Sequence, residues 1–136
     1  MWWEITESRT MRILVCGGRD FTNWVLLNRT LHHTVYDGDH TDYSKQVIIH
    51  GKDKGADRLA GQGADINNVP VLEYPADWAK YQHRAGPIRN QRMIDEGKPD
   101  LVVAFPTPKF KGTWDMIRRA EKAGIETIVV KHEQNS

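Results

Sequence analysis

Four stretches of this chain combine glycine or proline with charge and aromatic side chains. Gly17-Gly18-Arg19-Asp20 follows the apolar run ILVC. His50-Gly51 leads into KDKGAD, which holds Gly55, Ala56 and Asp57. Tyr74-Pro75-Ala76-Asp77-Trp78 follows VPVLE, and Phe105-Pro106 leads into TPKFKGT, which closes on Gly112-Thr113. These residue types suit anion recognition. Glycine tolerates positive φ and lets backbone N–H groups come close to a ligand. Helices starting near Thr22, Gly55-Ala56 and Gly112-Thr113 would each add the positive end of a dipole. Arg19, Arg89 and Arg92 can supply bidentate contacts. The chemistry supported is the binding of phosphate or of a phosphorylated nucleotide. The plain alternative is that glycine only turns the chain and that loop charges are solvated. Three such turns in register favour a ligand.

The elements that must carry these stretches follow from hydropathy. RILVCGG, QVIIHG, VPVLEYP, LVVAFP and ETIVVK read as short strands rich in β-branched residues. Between them, TNWVLLNRTLHHTVY has helical spacing through Trp24, Leu27 and Leu31, with Asn23 or Thr22 as its N-cap. GADRLAGQGADINN reads as a helix weakened by Gly61 and Gly63. GPIRNQRMIDEGKPD reads as a helix from near Pro87 to Gly97. GTWDMIRRAEKAG is amphipathic, with Met116, Ile117 and Ala120 inward and Gly124 as its stop. DGDHTDYSK is a polar loop and HEQNS a tail. Apolar strands without alternation, spaced by helices, predict an α/β, Rossmann-like doubly wound fold: a mainly parallel five-stranded sheet with helices on both faces. Ligands bind such sheets beyond the carboxyl ends of the strands. The four stretches all fall at that edge.

The chain has 136 residues, of which 27% are charged, and a net charge of +1. That is one domain's length, and no global charge calls for a polyanion partner. Met1–Thr10 reads as an extension, or an upstream start before a domain spanning 11–136. Trp2-Trp3 there either packs on a surface or belongs to a frayed end. The single cysteine, Cys16, excludes an intramolecular disulfide and reads as a small buried thiol. A lone free thiol, no run long enough to span a membrane and no signal-peptide pattern together predict a cytoplasmic protein.

Several motifs are absent. GGRDFTNW is not GxGxxG, GKDKGAD lacks the GK[ST] ending of a P-loop, and there is no GxSxG turn. The six histidines are scattered, so no metal site is expected, and no cofactor is called for. His50 by itself reads as a turn residue. Trp78 and Tyr81 either stack on a base or pack on the core as a lid. Arg118-Arg119 reads as a solvated helix face.

Six segments in order, ILVCGGRDF, HGKDKGADRLA, PVLEYPADW, AGPIRNQRM, PDLVVAFP and GTWDMIRRAEKAGI, resemble the YspA/YpsA-related branch of the SLOG superfamily. The likeness runs from Met11 to about Lys131. It implies a Rossmann-like fold and a pocket for a nucleotide or nucleotide derivative, in a family common in bacterial and phage genomes. It implies that Gly17 and Gly18 hug the ligand and that Arg19 and Asp20 contact it or order the loop. His50, Gly51, Gly55, Ala56 and Asp57 match the second motif, Asp77, Arg89, Asn90 and Arg92 the third, and Gly112, Thr113 and Asp115 the fourth. The related LOG phosphoribohydrolases carry PGGxGTxxE with a catalytic glutamate. Here the chain reads PTPKFKGTWDM, with Met116 at the glutamate position and Asp115 about 100° away around the helix. Lys52, Asp53 and Lys54 stand where small residues are usual.

The reading that results is a module binding a phosphorylated nucleotide or an ADP-ribose-like derivative, for sensing, carrying or sequestering it. The alternative is an N-glycosidic or phosphate-bond hydrolase in the same pocket. A third reading, DNA binding by analogy with DprA, meets a near-neutral net charge that argues against it. LOG-like relatives imply a homodimer.

Overall fold

The computed structural model describes residues 10–36 and 45–131. The expected extension up to Arg9 with its tryptophan pair, the polar loop from Asp37 to Ser44 and the tail from His132 lie outside them. The elements run β1 (Thr10–Gly17), α1 (Trp24–Leu31), β2 (Lys45–His50), α2 (Ala56–Ile66), β3 (Val71–Glu73), α3 (Trp78–Tyr81), α4 (Ala85–Asp95), β4 (Leu101–Phe105), α5 (Gly112–Lys122) and β5 (Glu126–Val129). All strand pairs are parallel, in the order β3-β2-β1-β4-β5. This is the expected Rossmann-like sheet.

Central strands must be apolar on both sides because both sides are covered. Successive residues of β1 alternate between two cores. Ile13 and Val15 pack with Leu27, Leu31 and Ala60 under α1 and α2. Leu14 and Cys16 pack with Met93, Met116 and Ala120 under α4 and α5. Each fully buried aliphatic side chain here contributes about 1.5–3 kcal/mol of transfer free energy. The edge strands β3 and β5 are short and only partly buried, as edges need to be.

Helix boundaries shift from the sequence pattern for local reasons. Asn23 caps α1, its Oδ1 accepting the Leu26 N–H at 3.0 Å. The helix ends at Leu31 and continues in wider π geometry over His32–Tyr36. The hydroxyls of Thr30 and Thr34 donate to carbonyls four residues back, a bond that bends helices. Helix α4 begins at Ala85, two residues before the expected start. Pro87 then sits in the first turn, where its missing N–H has no intrahelical partner to lose. The short α3 and a 3-10 turn over Gln82–Arg84, which the pattern does not announce, fill the step from β3 to α4.

The order reverses at β1 and β4. Chain to one side runs β1-β2-β3 with α1 and α2 on one face, and chain to the other runs β4-β5 with α4 and α5 on the opposite face. The helices that follow β1 and β4 therefore cover opposite faces, and a crevice forms beyond Gly17 and Phe105, which pair in register.

Candidate functional site

A cavity of about 330 Å³ occupies that crevice on the α4–α5 side. Cys16 and Gly17 form its base, Arg89 and Asn90 of α4 and Thr113 of α5 its walls, and Arg19, Trp78 and Phe110 stand among its lining. The volume lies at the lower end of the range for small-molecule sites.

The glycines at the strand exits serve a different purpose from the one expected. Among the described residues, the glycines with positive φ are Gly55 at 77° and Gly124 at 76°. Gly17 and Gly18 are not left-handed, and their missing Cβ atoms make room for protein. A Cβ on Gly17 would strike Ala56 and the Phe105 carbonyl, one on Gly18 would strike the Thr107 side chain, and one on Gly51 the Arg89 guanidinium. Gly55 presses on the Gly18 carbonyl in the same way. The first, second and fourth loops thus lock onto one another.

Two of the three expected helix N-termini are closed, one by its own cap and one by the locked loops. Asn23 seals α1, whose start does not line the cavity. The Ala56 N–H at the start of α2 points to the Gly18 carbonyl at 3.5 Å. Helix α5 stays open: no side chain caps it, and nothing lies within 4 Å of where a Gly112 Cβ would stand. Its N-terminus borders the cavity and presents its partial positive charge to any anion there.

Arg89 is buried and four of its five N–H donors are used inside the protein. Its Nη1 donates to the Gly51 carbonyl at 2.7 Å and toward the Tyr74 carbonyl at 3.4 Å, Nη2 to Asp53 at 3.1 Å and Nε to Asn90 Oδ1 at 3.0 Å. Asn90 passes the network on, donating to Asp115 at 3.0 Å, and Arg119 Nε donates to the same Asp115 oxygen at 2.8 Å. The expected bidentate phosphate clamp is instead the tie between α4, α5 and the loop after β2.

The carboxyls of the cavity differ in charge state. Asp57 is buried, and desolvation, with repulsion from Asp53 behind it, raises its pKa to about 7 although the Asp53 and Gly51 N–H groups donate to Oδ2. For Asp115 burial is the largest influence and acts upward. Hydrogen bonds from Arg119 and Asn90 together outweigh it, and the group titrates below its usual range. Burial, reinforced by the Asp57 charge, pushes the Cys16 thiol far up, so it is a neutral wall group and no nucleophile.

Arg19 is the exposed cation of the rim. It lies 5.3 Å from the Trp78 ring centre and 6.0 Å from that of Phe110, with Nη2 3.8 Å from Asp53. Phe110 reaches this position because the loop after β4 folds back through a bridge between Thr107 and Phe110.

The cavity brings together Gly17, Arg19, Asp57, Arg89, Asn90, Gly112, Thr113 and Asp115 of the residues expected there. Gly18, Gly51, Gly55 and Ala56 buttress it through the loop contacts above. The others lie elsewhere. Asp20 faces the neighbouring basin, and Asp77 caps α3, accepting the Lys80 N–H at 3.1 Å. Arg92 is exposed and pairs with Glu96 at 3.1 Å over the Tyr74 ring, outside the cavity. His50 is buried at the β2–β3 edge. Burial lowers its pKa, and Nδ1 accepts the Lys52 N–H at 2.9 Å, so the neutral ring carries its proton on Nε2.

Sequence reasoning missed Asp53, Gly86, Met93 and Phe110 as lining residues. An aromatic between two lysines in a strand-exit loop, KFK, was the available signal for Phe110. Among the described residues no group of three or more His, Cys, Asp or Glu is placed to hold a metal ion. No helix there is long and apolar enough to cross a membrane.

Comparison with known proteins agrees with this architecture. The family described as YspA, cpYpsA-related SLOG (YAcAr) matches residues 11–81. The Gene 61 protein of Mycobacterium phage D29 is 34% identical over 127 residues, covering 86% of this chain and 94% of that protein. The X-ray structure of DNA processing protein A (DprA) from Streptococcus pneumoniae superposes with a TM-score of 0.65 at 17% identity, over 92% of this chain and 52% of that one. The likeness to DprA is one of fold, and the chain spans about half of that protein's length.

Proposed function

Since the chain belongs to the YspA, cpYpsA-related SLOG family, we propose that its cavity binds a phosphorylated nucleotide or nucleotide derivative, in order to sense, carry or sequester it. The observation that carries this reading is the crevice at the β1–β4 reversal, where the uncapped N-terminus of α5 faces a rim of Arg19, Trp78 and Phe110. The first supplies an anion contact and the second stacking surfaces for a base. Binding rather than hydrolysis is favoured by Met116, which lines the cavity where the related hydrolases place a catalytic glutamate. The one feature favouring a hydrolase is Asp57, a buried carboxyl titrating near neutrality in the same cavity. We place the module in the cytoplasm as a homodimer, on its free thiol and the family resemblance.

The test is a thermal-shift series with nucleosides, nucleoside monophosphates and ADP-ribose. A ligand specific for the folded state raises the melting temperature by mass action. Phosphorylated members should shift it and parent nucleosides much less. Equal shifts for both, or none for any, would remove the reading. Release of free base from a monophosphate would promote the hydrolase.

A further inference from the structure

Beside the cavity lies a second basin of about 550 Å³, and the two share Arg19, Asp53, Trp78 and Phe110 as a common wall. Their charges differ in kind. The inner cavity sets Arg19 and Arg89 against Asp53, Asp57 and Asp115. Arg89 there is committed to Gly51, Asp53 and Asn90, and Asp115 is held ionised. One anionic group at the α5 N-terminus fits that cavity, and further negative charge would face its carboxylates. The outer basin sets Arg19, Lys52, Lys54 and Arg58 against Asp20 and Asp53. Among the described residues Lys54 and Arg58 enter no ion pair, and Lys52 meets Glu73 only at 3.7 Å. Three of these cations come from one short segment, KDKGADR, wound tightly between the left-handed Lys52 at φ 59° and Gly55 at φ 77°. Asp57, two residues after Gly55, anchors that segment through the Gly51 and Asp53 N–H groups.

We propose that the outer basin is a phosphate subsite, and that the ligand is a nucleoside diphosphate or a diphosphate-linked derivative of one. The nucleoside and its first phosphate occupy the inner cavity, which is where this inference rests on the preceding one, and the second phosphate lies across the rim, past Arg19, toward Lys54 and Arg58. Arg19 is the one cation belonging to both compartments, so it bridges the two phosphates.

Titration calorimetry with the pairs AMP and ADP, and GMP and GDP, tests the assignment on the full chain. The variants are Lys54→Glu/Arg58→Glu and, as a milder pair, Lys54→Gln/Arg58→Gln. All four substitutions fall on exposed side chains, and an unchanged melting temperature verifies folding. The wild-type protein should bind the diphosphate about tenfold more tightly than its monophosphate, the worth of one charge-assisted contact. Both variants should lose that advantage and keep the monophosphate affinity. Equal affinity for the two members of a pair, or an advantage that survives in the variants, overturns the subsite and leaves nucleotide binding standing. No binding of any nucleotide overturns both. Tighter binding of a short oligothymidylate, lost in the variants, would assign the basin to a nucleic-acid backbone instead.

Discussion

Replacing Arg89 by alanine should destabilise the fold before it reports on the ligand. The guanidinium satisfies the Gly51 carbonyl at 2.7 Å and Asn90 Oδ1 at 3.0 Å, both in buried surroundings. Each buried acceptor left without a partner costs about 1–3 kcal/mol. The contact with Asp53 at 3.1 Å adds less, because Asp53 is partly exposed and water can replace the arginine there. The sum for Arg89→Ala is about 2–6 kcal/mol. With a urea slope near 2 kcal/mol/M, the midpoint should fall by about 1–3 M. Arg89→Lys keeps the charge but not the planar fork, and should recover less than half of the loss. Urea unfolding followed by circular dichroism measures both. A ligand-facing arginine would behave otherwise: a surface change of this kind moves stability by no more than ~0.5 kcal/mol. A midpoint unchanged within ~0.3 M, together with abolished nucleotide binding, would refute the network and return Arg89 to the role of a phosphate clamp.

Asp57 should make stability pH-dependent. The folded carboxyl keeps its proton to about pH 7 and the unfolded one releases it near 3.8. Between those values the folded state binds more protons, so stability falls as pH rises through that window and levels off above it. Asp57→Asn can still accept from the Gly51 and Asp53 N–H groups, and should flatten the profile. At pH 8 it should exceed the wild type by on the order of 4 kcal/mol at most, and near pH 4 it should match it. Urea midpoints at the two pH values check this, and parallel profiles would count against it. At Gly112 a Cβ meets no protein atom within 4 Å, so Gly112→Ala should leave stability within ~0.5 kcal/mol, while calorimetry shows weakened nucleotide binding. Normal binding by that variant would move the ligand away from α5. Arg19→Ala should leave the melting temperature nearly unchanged and lower nucleotide affinity about tenfold. Full affinity would return Arg19 to the solvent.

The order of strands and helices was legible because buried parallel strands and amphipathic helices have distinct hydropathy periods. Long-range contacts were less so. That α4 starts at Ala85 depends on which backbone groups the preceding turn satisfies, and a proline at position 87 points misleadingly to the start itself. The site was legible as an edge: Gly17, Arg19, Asp57, Arg89, Asn90 and Thr113 do converge there. What each residue does at that edge was not. Arg89 and Arg92 look equivalent in AGPIRNQRM, yet three residues of helix separate a buried tie from a solvated pair. Phe110 enters through a fold-back of its loop that no local pattern encodes.

The strand-exit glycines carry the most instructive divergence. A glycine beside a ligand and a glycine beside another loop look identical in sequence, since both need the space a Cβ would fill. Here Gly17 faces Ala56, Gly18 faces Thr107 and Gly51 faces Arg89, so those positions hold the loops to each other. Gly112 alone of the motif glycines faces open space. Interlocked loops lose little freedom when a ligand arrives, and a site already ordered binds at lower entropic cost. On the proposed reading, recognition then falls to the groups the locking leaves unused, namely the Arg19 guanidinium, the Trp78 and Phe110 rings and the first turn of α5. Differences in ligand among relatives of this chain should accordingly map to positions 19, 78, 110 and the 52–54 segment rather than to the glycines, whose partners are internal.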